Sequence, residues 1–452
     1  MDDDYRRLAD RIADDIAAGR LRPGERLPPQ RAFARRRGIA GSTAGRVYGE
    51  LVRRGLVVGE VGRGTFVRAA APAPNGRALA EPVATGRDTT VNMELNYPSA
   101  PDQSELLAPA LAPLLRPDVL TEALRPAPAD GTPEARAAVA GLLATPGWRP
   151  DPDGVLFAGN ARQAIAATLA FLVRPGGRVG VEALTYPLVK EIAARLGIVL
   201  VPLAMDEGGL RPDALAAAHR SAPLSALYVQ PTLHNPTSVT MGEGRKRELA
   251  RVVRELGVPV VEDRIWSFLT DKDVGEPLAA YVPELAHVVD GLSKRVAPGL
   301  TVGFLVVPPG RAEAVAAAVR SGGWSAGRFA LEAGVRWVED GTVARLVAAK
   351  RVDAARRQRL LARELAEFGG AVRSDPYAYY AWWELPASWR AETFTAAVAA
   401  HGIAVTPGDA FAVGPQRAPD AVRLGLASAP EPELARAMRT LAAVARRGRT
   451  GP

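Results

Sequence analysis

Between residues 155 and 307 seven short apolar runs recur, most of them separated by a stretch with helical spacing. No other feature restricts the fold of the chain as much. The runs are VLFAG, RVGVE, VLVPL, ALYVQ, VPVVE, HVVDG and TVGFLVV. Each is too short for a helix and too continuously apolar for a strand with one wet face, so each predicts a strand buried on both sides. Helical spacing falls between them at Ala161–Leu172, Pro187–Leu196, Arg211–Arg220 and Glu243–Leu256. Such alternation predicts an α/β domain, a mostly parallel sheet with helices on both faces, here expected over residues 91–447.

Open sheets of this kind place their chemistry outside the carboxyl ends of the strands. Asn160, Ala161 and Arg162 follow VLFAG, Tyr186 follows RVGVE, and Asn235 follows ALYVQ. Asp263 follows VPVVE, and Lys294 follows HVVDG. Lysine is scarce, with five residues (190, 246, 272, 294 and 350) against 52 arginines. Lys294 alone stands where a strand runs out, in an expected loop closed by Pro298-Gly299. A primary amine there can form a Schiff base, which a guanidinium cannot.

A lysine, an aspartate, an asparagine, an aromatic ring and a helix N-terminus match what pyridoxal phosphate needs. Lys294 would carry it as an internal aldimine, and Asp263 would pair with the pyridine nitrogen. Asn235 would bond the ring hydroxyl oxygen, Tyr186 would stack on the ring, and Ser293 and Trp266 would complete the set. The amides of Asn160, Ala161 and Arg162, opening a helix, would hold the phosphate. Arg423, in AVRLGLAS and expected just past a strand, has the planar fork that grips a carboxylate. An ion pair at Asp263 and a surface charge at Arg423 are the alternative readings of the same residues.

Upstream the pattern changes. Tyr5, Leu8, Ile12 and Ile16 predict a first helix, Gln30 to Arg37 a second with Phe33 and Ala34 inward. Ser42 is expected to cap a third, running to about Arg54 with Val47, Leu51 and Val52 on its apolar side. Leu56-Val57-Val58 and Thr65-Phe66-Val67 predict a hairpin. Together these elements describe a winged helix-turn-helix over residues 1–68. Its charge is local: residues 1–68 hold 15 arginines against 9 Asp and Glu, a net +6 of the chain's +8. A basic patch on such a scaffold predicts double-stranded DNA as the partner. Ser42, Thr43, Ala44 and Arg46 would face base edges. Arg35, Arg36, Arg37, Arg53 and Arg54 would meet phosphates, with Arg63 at the wing tip reaching a minor groove. Residues 69–90, rich in Ala, Pro and Gly without periodicity, predict a linker.

Composition excludes other classes. With no cysteine there is no disulfide, thiolate zinc site or cysteine nucleophile, and four scattered histidines leave little for a metal cluster. No apolar run approaches the ~18 residues of a membrane span. The acidic start, MDDDYRRLAD, is unlike a signal peptide, so the protein is expected in the cytoplasm.

LRPGERLPPQRAFARRRGI, STAGRVYGELVRRGL and VGRGTFV resemble the GntR family of winged-helix regulators, which implies DNA binding as a dimer. GNARQAI, EALTYP, QPTLHNPT, VVEDRIW, GLSKRVAPGL, TPGDAF and VRLGLAS resemble the fold-type-I aminotransferases. The order of the two parts resembles that of the MocR subfamily of GntR regulators. Membership implies a head-to-tail dimer with the DNA-binding modules swapped between partners. Relative to that family, Thr301 stands where an arginine clamps the cofactor phosphate, and Trp266 stands near where a tyrosine touches the ring oxygen. The tyrosine expected before Gly131 is missing, with Pro126 or its neighbours in its place. Arg162, often glutamine in relatives, would supply the lost charge. Three functions follow: a regulator that senses an amino acid, an amine or the cofactor itself; a working aminotransferase; or a cofactor-free dimer scaffold.

Overall fold

The computed structural model describes residues 4–17, 20–21, 25–53, 56–60, 64–67, 91–270, 275–299, 302–414 and 418–447. The expected linker, Arg54, Arg63, Lys272 and Thr301 lie outside these residues. Helices α1 (Asp4–Ala17), α2 (Gln30–Arg37) and α3 (Gly41–Arg53) precede strands β1 (Val57–Glu60) and β2 (Gly64–Val67). The two strands pair antiparallel, Val57 opposite Val67 and Glu60 opposite Gly64. Ile12, Phe33, Val47, Leu51, Val57 and Val67 close a small core between helices and hairpin. Two expectations fail here. Helix α3 already starts at Gly41, the Ala44 amide bonding the Ala40 carbonyl at 3.1 Å, so Ser42 lies in the first turn and is not the cap. Val52 is 48% exposed because Val47 and Leu51, four apart, fix the inward stripe and turn the next residue away.

The larger unit begins at β3 (Val91–Asn92). All seven apolar runs are strands: β4 (Val155–Ala158), β5 (Arg178–Glu182), β6 (Val199–Leu203), β9 (Ala226–Val229), β10 (Val260–Asp263), β11 (Ala286–Gly291) and β12 (Gly303–Val306). A small ribbon, β7 (Met205–Asp206) with β8 (Gly209–Leu210), interrupts the series. The seven form one sheet in the order β4-β12-β11-β10-β9-β5-β6. Only β12 runs antiparallel to its neighbours, β11 and β4. Strands β4, β9, β10, β11 and β12 are buried throughout, as strands covered on both faces are.

Beyond the sheet lies a second layer. Strands β13 (Val372–Ser374), β14 (Tyr380–Glu384), β16 (Thr406–Pro407) and β17 (Ala421–Gly425) form an antiparallel sheet in the order β13-β14-β17-β16. It shares a core with the helices Thr342–Glu364, Ala391–Ala399 and Glu431–Arg447. Strand β15 (Ile403–Ala404) pairs with β3, which ties the start of the large unit to this smaller sheet.

Candidate cofactor site and DNA-facing surface

All ten residues singled out in the large unit line one cavity of about 150 Å³. Strand ends bring most of them there. Asn160 caps the helix Ala161–Leu172, its side-chain oxygen accepting from the Gln163 amide at 2.9 Å. That leaves the Ala161 and Arg162 amides among the helix-end groups that have no intrahelical partner. The helix can sit this close because Gly303 has no side chain: a Cβ there would lie 2.9 Å from the Ala161 nitrogen. Arg162 is exposed at the cavity wall and makes no ion pair among the described residues.

Asp263 ends β10 and is buried. Tyr228 donates to its Oδ2 at 2.6 Å and Gln230 at 2.9 Å, while the Ile265 amide donates to Oδ1 at 3.0 Å. These partners are neutral, so the alternative of an ion pair does not hold. Burial pushes the carboxyl up, and the three hydrogen bonds pull it back. Gln230 also receives the Asn235 amide at 3.1 Å, placing Asn235 beside Asp263. The Asn235 Oδ1 is buried without a partner. Tyr186 stands at the start of the helix Pro187–Arg195, its hydroxyl raised by burial.

Lys294 departs from expectation in one respect. The segment after β11 is a single helical turn, Leu292–Arg295, rather than an open loop. From that turn the amine approaches the rings of Tyr97, 4.5 Å to the centroid, and Trp266, 5.1 Å. Burial, together with Arg423, Arg162 and Lys350, pushes it down to about 7. A neutral amine is the form that attacks a carbonyl.

Arg423 is the third residue of β17 rather than a residue past its end, and it is buried, not a surface charge. Its Nη2 donates to the Glu94 carbonyl and, at 3.2 Å, to Thr406 Oγ1. Its Nε has no partner. Burial lowers the guanidinium to about 10.

Sequence reasoning passes over Asn96, Tyr97 and Gln230, which also line the cavity. Gln230 carries a readable signal, a polar residue closing the apolar run ALYVQ. Asn96 and Tyr97 carry none, because they reach the cavity from an irregular stretch after β3, distant in sequence.

In the first unit Arg35, Arg36 and Arg37 are exposed at the end of α2. Ser42 and Arg46 share the outer face of α3, and Thr43 is half-buried at its edge. Arg46 lays its guanidinium over the Tyr5 ring, 4.5 Å to the centroid. Ala44 is corrected: it is fully buried in the core and cannot face a base. The Arg53 side chain, like Arg54 and Arg63, lies outside the described residues. Among the described residues no helix is long and apolar enough to cross a membrane, and no three His, Asp or Glu could hold a metal ion.

Comparison with known proteins finds two family matches along the chain. Residues 121–441 match the family aminotransferase class I and II, and residues 4–67 match bacterial regulatory proteins of the gntR family. The chain is 28% identical over 417 residues to the HTH-type transcriptional regulator YdeF of Bacillus subtilis, covering 92% of this chain and 88% of that one. It is 25% identical over 317 residues to PdxR of Corynebacterium glutamicum, an HTH-type pyridoxine biosynthesis transcriptional regulator, covering 68% and 67%. Among solved structures, α-aminoadipate aminotransferase LysN of Thermus thermophilus, complexed with N-(5'-phosphopyridoxyl)-L-leucine, superposes with a TM-score of 0.71. That likeness, at 22% identity over 79% of this chain and 92% of LysN, is one of fold. The chain thus belongs to the class I and II aminotransferases, fused to a gntR-type DNA-binding domain in the order of the MocR regulators.

Proposed function

We propose that this DNA-binding transcriptional regulator holds pyridoxal 5'-phosphate covalently at Lys294 and senses through it an amino acid, an amine or the cofactor itself. The carrying observation is that the Lys294 amine and the Asp263 carboxylate meet in one cavity with two orphaned buried atoms, Asn235 Oδ1 and Arg423 Nε. Buried polar atoms without partners are costly, and a polar ligand relieves them. When bound, pyridoxal phosphate supplies an aldehyde that exchanges amines and a pyridinium ring that withdraws electrons.

The residues fit that group. Asp263 would hold a ring-nitrogen proton, since Oδ1 keeps a lone pair beyond the Ile265 amide. The Asn235 carboxamide would meet a ring hydroxyl, Tyr186 would cover one ring face, and Ser293 and Trp266 would close the sides. The Ala161 and Arg162 amides and the Arg162 guanidinium would receive the phosphate. Arg423 would receive a ligand carboxylate on Nε. The phosphopyridoxyl amino acid carried by LysN is the kind of adduct such a cavity would accommodate. Ser42, Thr43 and Arg46 would read base edges, and Arg35, Arg36 and Arg37 would meet phosphates. We place the boundaries at residues 1–68, 69–90 and 91–447, and read the protein as a cytoplasmic head-to-tail homodimer.

The test is borohydride reduction of protein incubated with pyridoxal phosphate, followed by peptide mass analysis. Before reduction the protein should show an absorbance band near ~420 nm that Lys294→Ala abolishes, and after reduction the expected label lies on the peptide containing Lys294. Unreduced protein whose DNA affinity ignores pyridoxal phosphate and, once loaded with it, every amine and amino acid offered contradicts sensing. A second reading, a working aminotransferase, is favoured by the joint presence of Lys294, Asp263 and Arg423. Turnover with an amino acid and a keto acid would show it.

A further inference from the structure

The helix Thr342–Glu364 directs Lys350 inward, where its side chain is fully buried. Its Nζ donates to three main-chain carbonyls, those of Lys294 at 3.0 Å, Arg295 at 3.0 Å and Val296 at 2.7 Å. These sit at the C-terminal end of the turn that carries Lys294, where a helix leaves its carbonyls without intrahelical partners. An ammonium has three protons, and here there are three acceptors. A neutral amine would leave one carbonyl facing a lone pair. Burial pushes the Lys350 amine down to about 7, whereas hydrogen bonds from the charged form to three carbonyls favour the ammonium. On the same turn Arg295 forms a buried two-point ion pair with Asp290, Nη2 to Oδ2 at 2.8 Å and Nη1 to Oδ1. The turn is therefore clamped by charge at two points, while Lys350 itself does not line the cavity.

We propose that Lys350 is a positioning residue for Lys294, its buried ammonium fixing the turn that aims the Lys294 amine and discouraging protonation of that amine. The proposal rests on the reading that Lys294 is the reactive amine of the site. The charged groups facing that amine are Arg423 from β17, Arg162 from the helix Ala161–Leu172, and Lys350 from behind. Asp263 lines the same cavity, and the neutral rings of Tyr97 and Trp266 complete the surroundings. All three cations act in one direction, so removing one raises the proton affinity of Lys294.

The experiment uses the full-length, cofactor-free protein and follows acetylation of Lys294 by acetic anhydride as a function of pH, read by peptide mass. In Lys350→Met the midpoint of the profile should rise by about half a pH unit or more, and Lys350→Arg should return it toward the native value. Should Lys350→Met not fold, Lys350→Gln removes the charge while keeping hydrogen-bond donors and is read in the same way. A residue with only a structural role would lower the melting temperature and leave the midpoint in place. That result overturns the proposal. Borohydride labelling of the native protein reports separately on the cofactor, so a failure of that reading is not confused with a failure of this one.

Discussion

The Lys294 amine donates a 2.6 Å hydrogen bond to the main-chain carbonyl of Asn96, 198 positions earlier in the chain. Two residues before Asn96, the Glu94 carbonyl receives Arg423. The Asn96 side chain accepts from the amides of Leu426 at 3.1 Å and Ala427 at 3.3 Å, just beyond β17. One short segment thus spans the amine and the guanidinium of the cavity. It continues directly from β3, the first described element after the winged unit.

Arg423→Met should separate cofactor from effector. Pyridoxal phosphate binding should persist, while affinity for a carboxylate-bearing effector should fall about 10- to 100-fold, from the loss of a charge-assisted hydrogen bond of ~1.5–3 kcal/mol. Effector titration followed by absorbance measures both. Equal affinity in variant and native protein would remove Arg423 from the site.

Arg162→Gln tests the phosphate cation. Arg162 is unpaired in the described structure and stands at the helix start, so its loss should weaken pyridoxal phosphate by about tenfold while pyridoxal, which has no phosphate, is unaffected. Equilibrium dialysis of the two compounds gives the comparison. Unchanged binding of both would exclude this role.

The depressed Lys294 amine makes a pH prediction. Its folded value, about 7, lies below the ordinary 10.5, so between the two the unfolded chain holds more protons than the folded one. Stability therefore rises with pH across that window, and below about 7 the full cost of burying the charge is present. Denaturant titrations of cofactor-free protein at about pH 6.5 and about pH 9 should show the native chain gaining on Lys294→Met as pH rises. A constant difference between the two chains would show that the amine is not depressed.

Gly425→Ala should loosen the bridging segment. A Cβ at 425 would lie 2.7 Å from the Met93 carbonyl oxygen and 2.8 Å from that of Leu95, both main-chain atoms that cannot rotate away. Such overpacking costs about 1–3 kcal/mol, measurable by denaturant unfolding. A neutral substitution would mean that the segment shifts easily.

Arg36→Ala, on the exposed end of α2, should weaken binding to specific and nonspecific DNA alike. It should also reduce the slope of log affinity against log salt by about 0.9, one phosphate contact. A change confined to one operator sequence would instead make Arg36 a base reader.

The sequence was most readable where local pattern and tertiary role coincide. Short continuous apolar runs separated by helical stretches read as strands buried on both faces, and residues at their carboxyl ends gather at one edge of the sheet. Hence Asn160, Tyr186, Asn235, Asp263 and Lys294 meet as expected. It was least readable where a residue acts across the chain. Arg423 points into the cavity from within a strand because the smaller sheet, not its own neighbours, sets its direction. Asn96 and Tyr97 lie on the stretch that follows β3, whose place is fixed by pairing with β15. Lys350 follows an apolar helix stripe through Val343 and Leu346, where its charge looks misplaced until the carbonyls of the Lys294 turn are seen. Ala44 shows the opposite failure: a small residue at a helix start is as suited to a core as to a groove.

A carboxylate that grips Arg423 by its Nε–Nη2 edge finds Nε open and Nη2 already in use by Glu94. Because Nη2 also serves Thr406 Oγ1, a two-point grip on that edge would displace the Glu94 carbonyl or the Thr406 hydroxyl, so the dissociation constant for such a grip would report an exchange rather than a simple docking. Part of the intrinsic attraction is cancelled by the bond given up, which moves half-saturation to higher concentration.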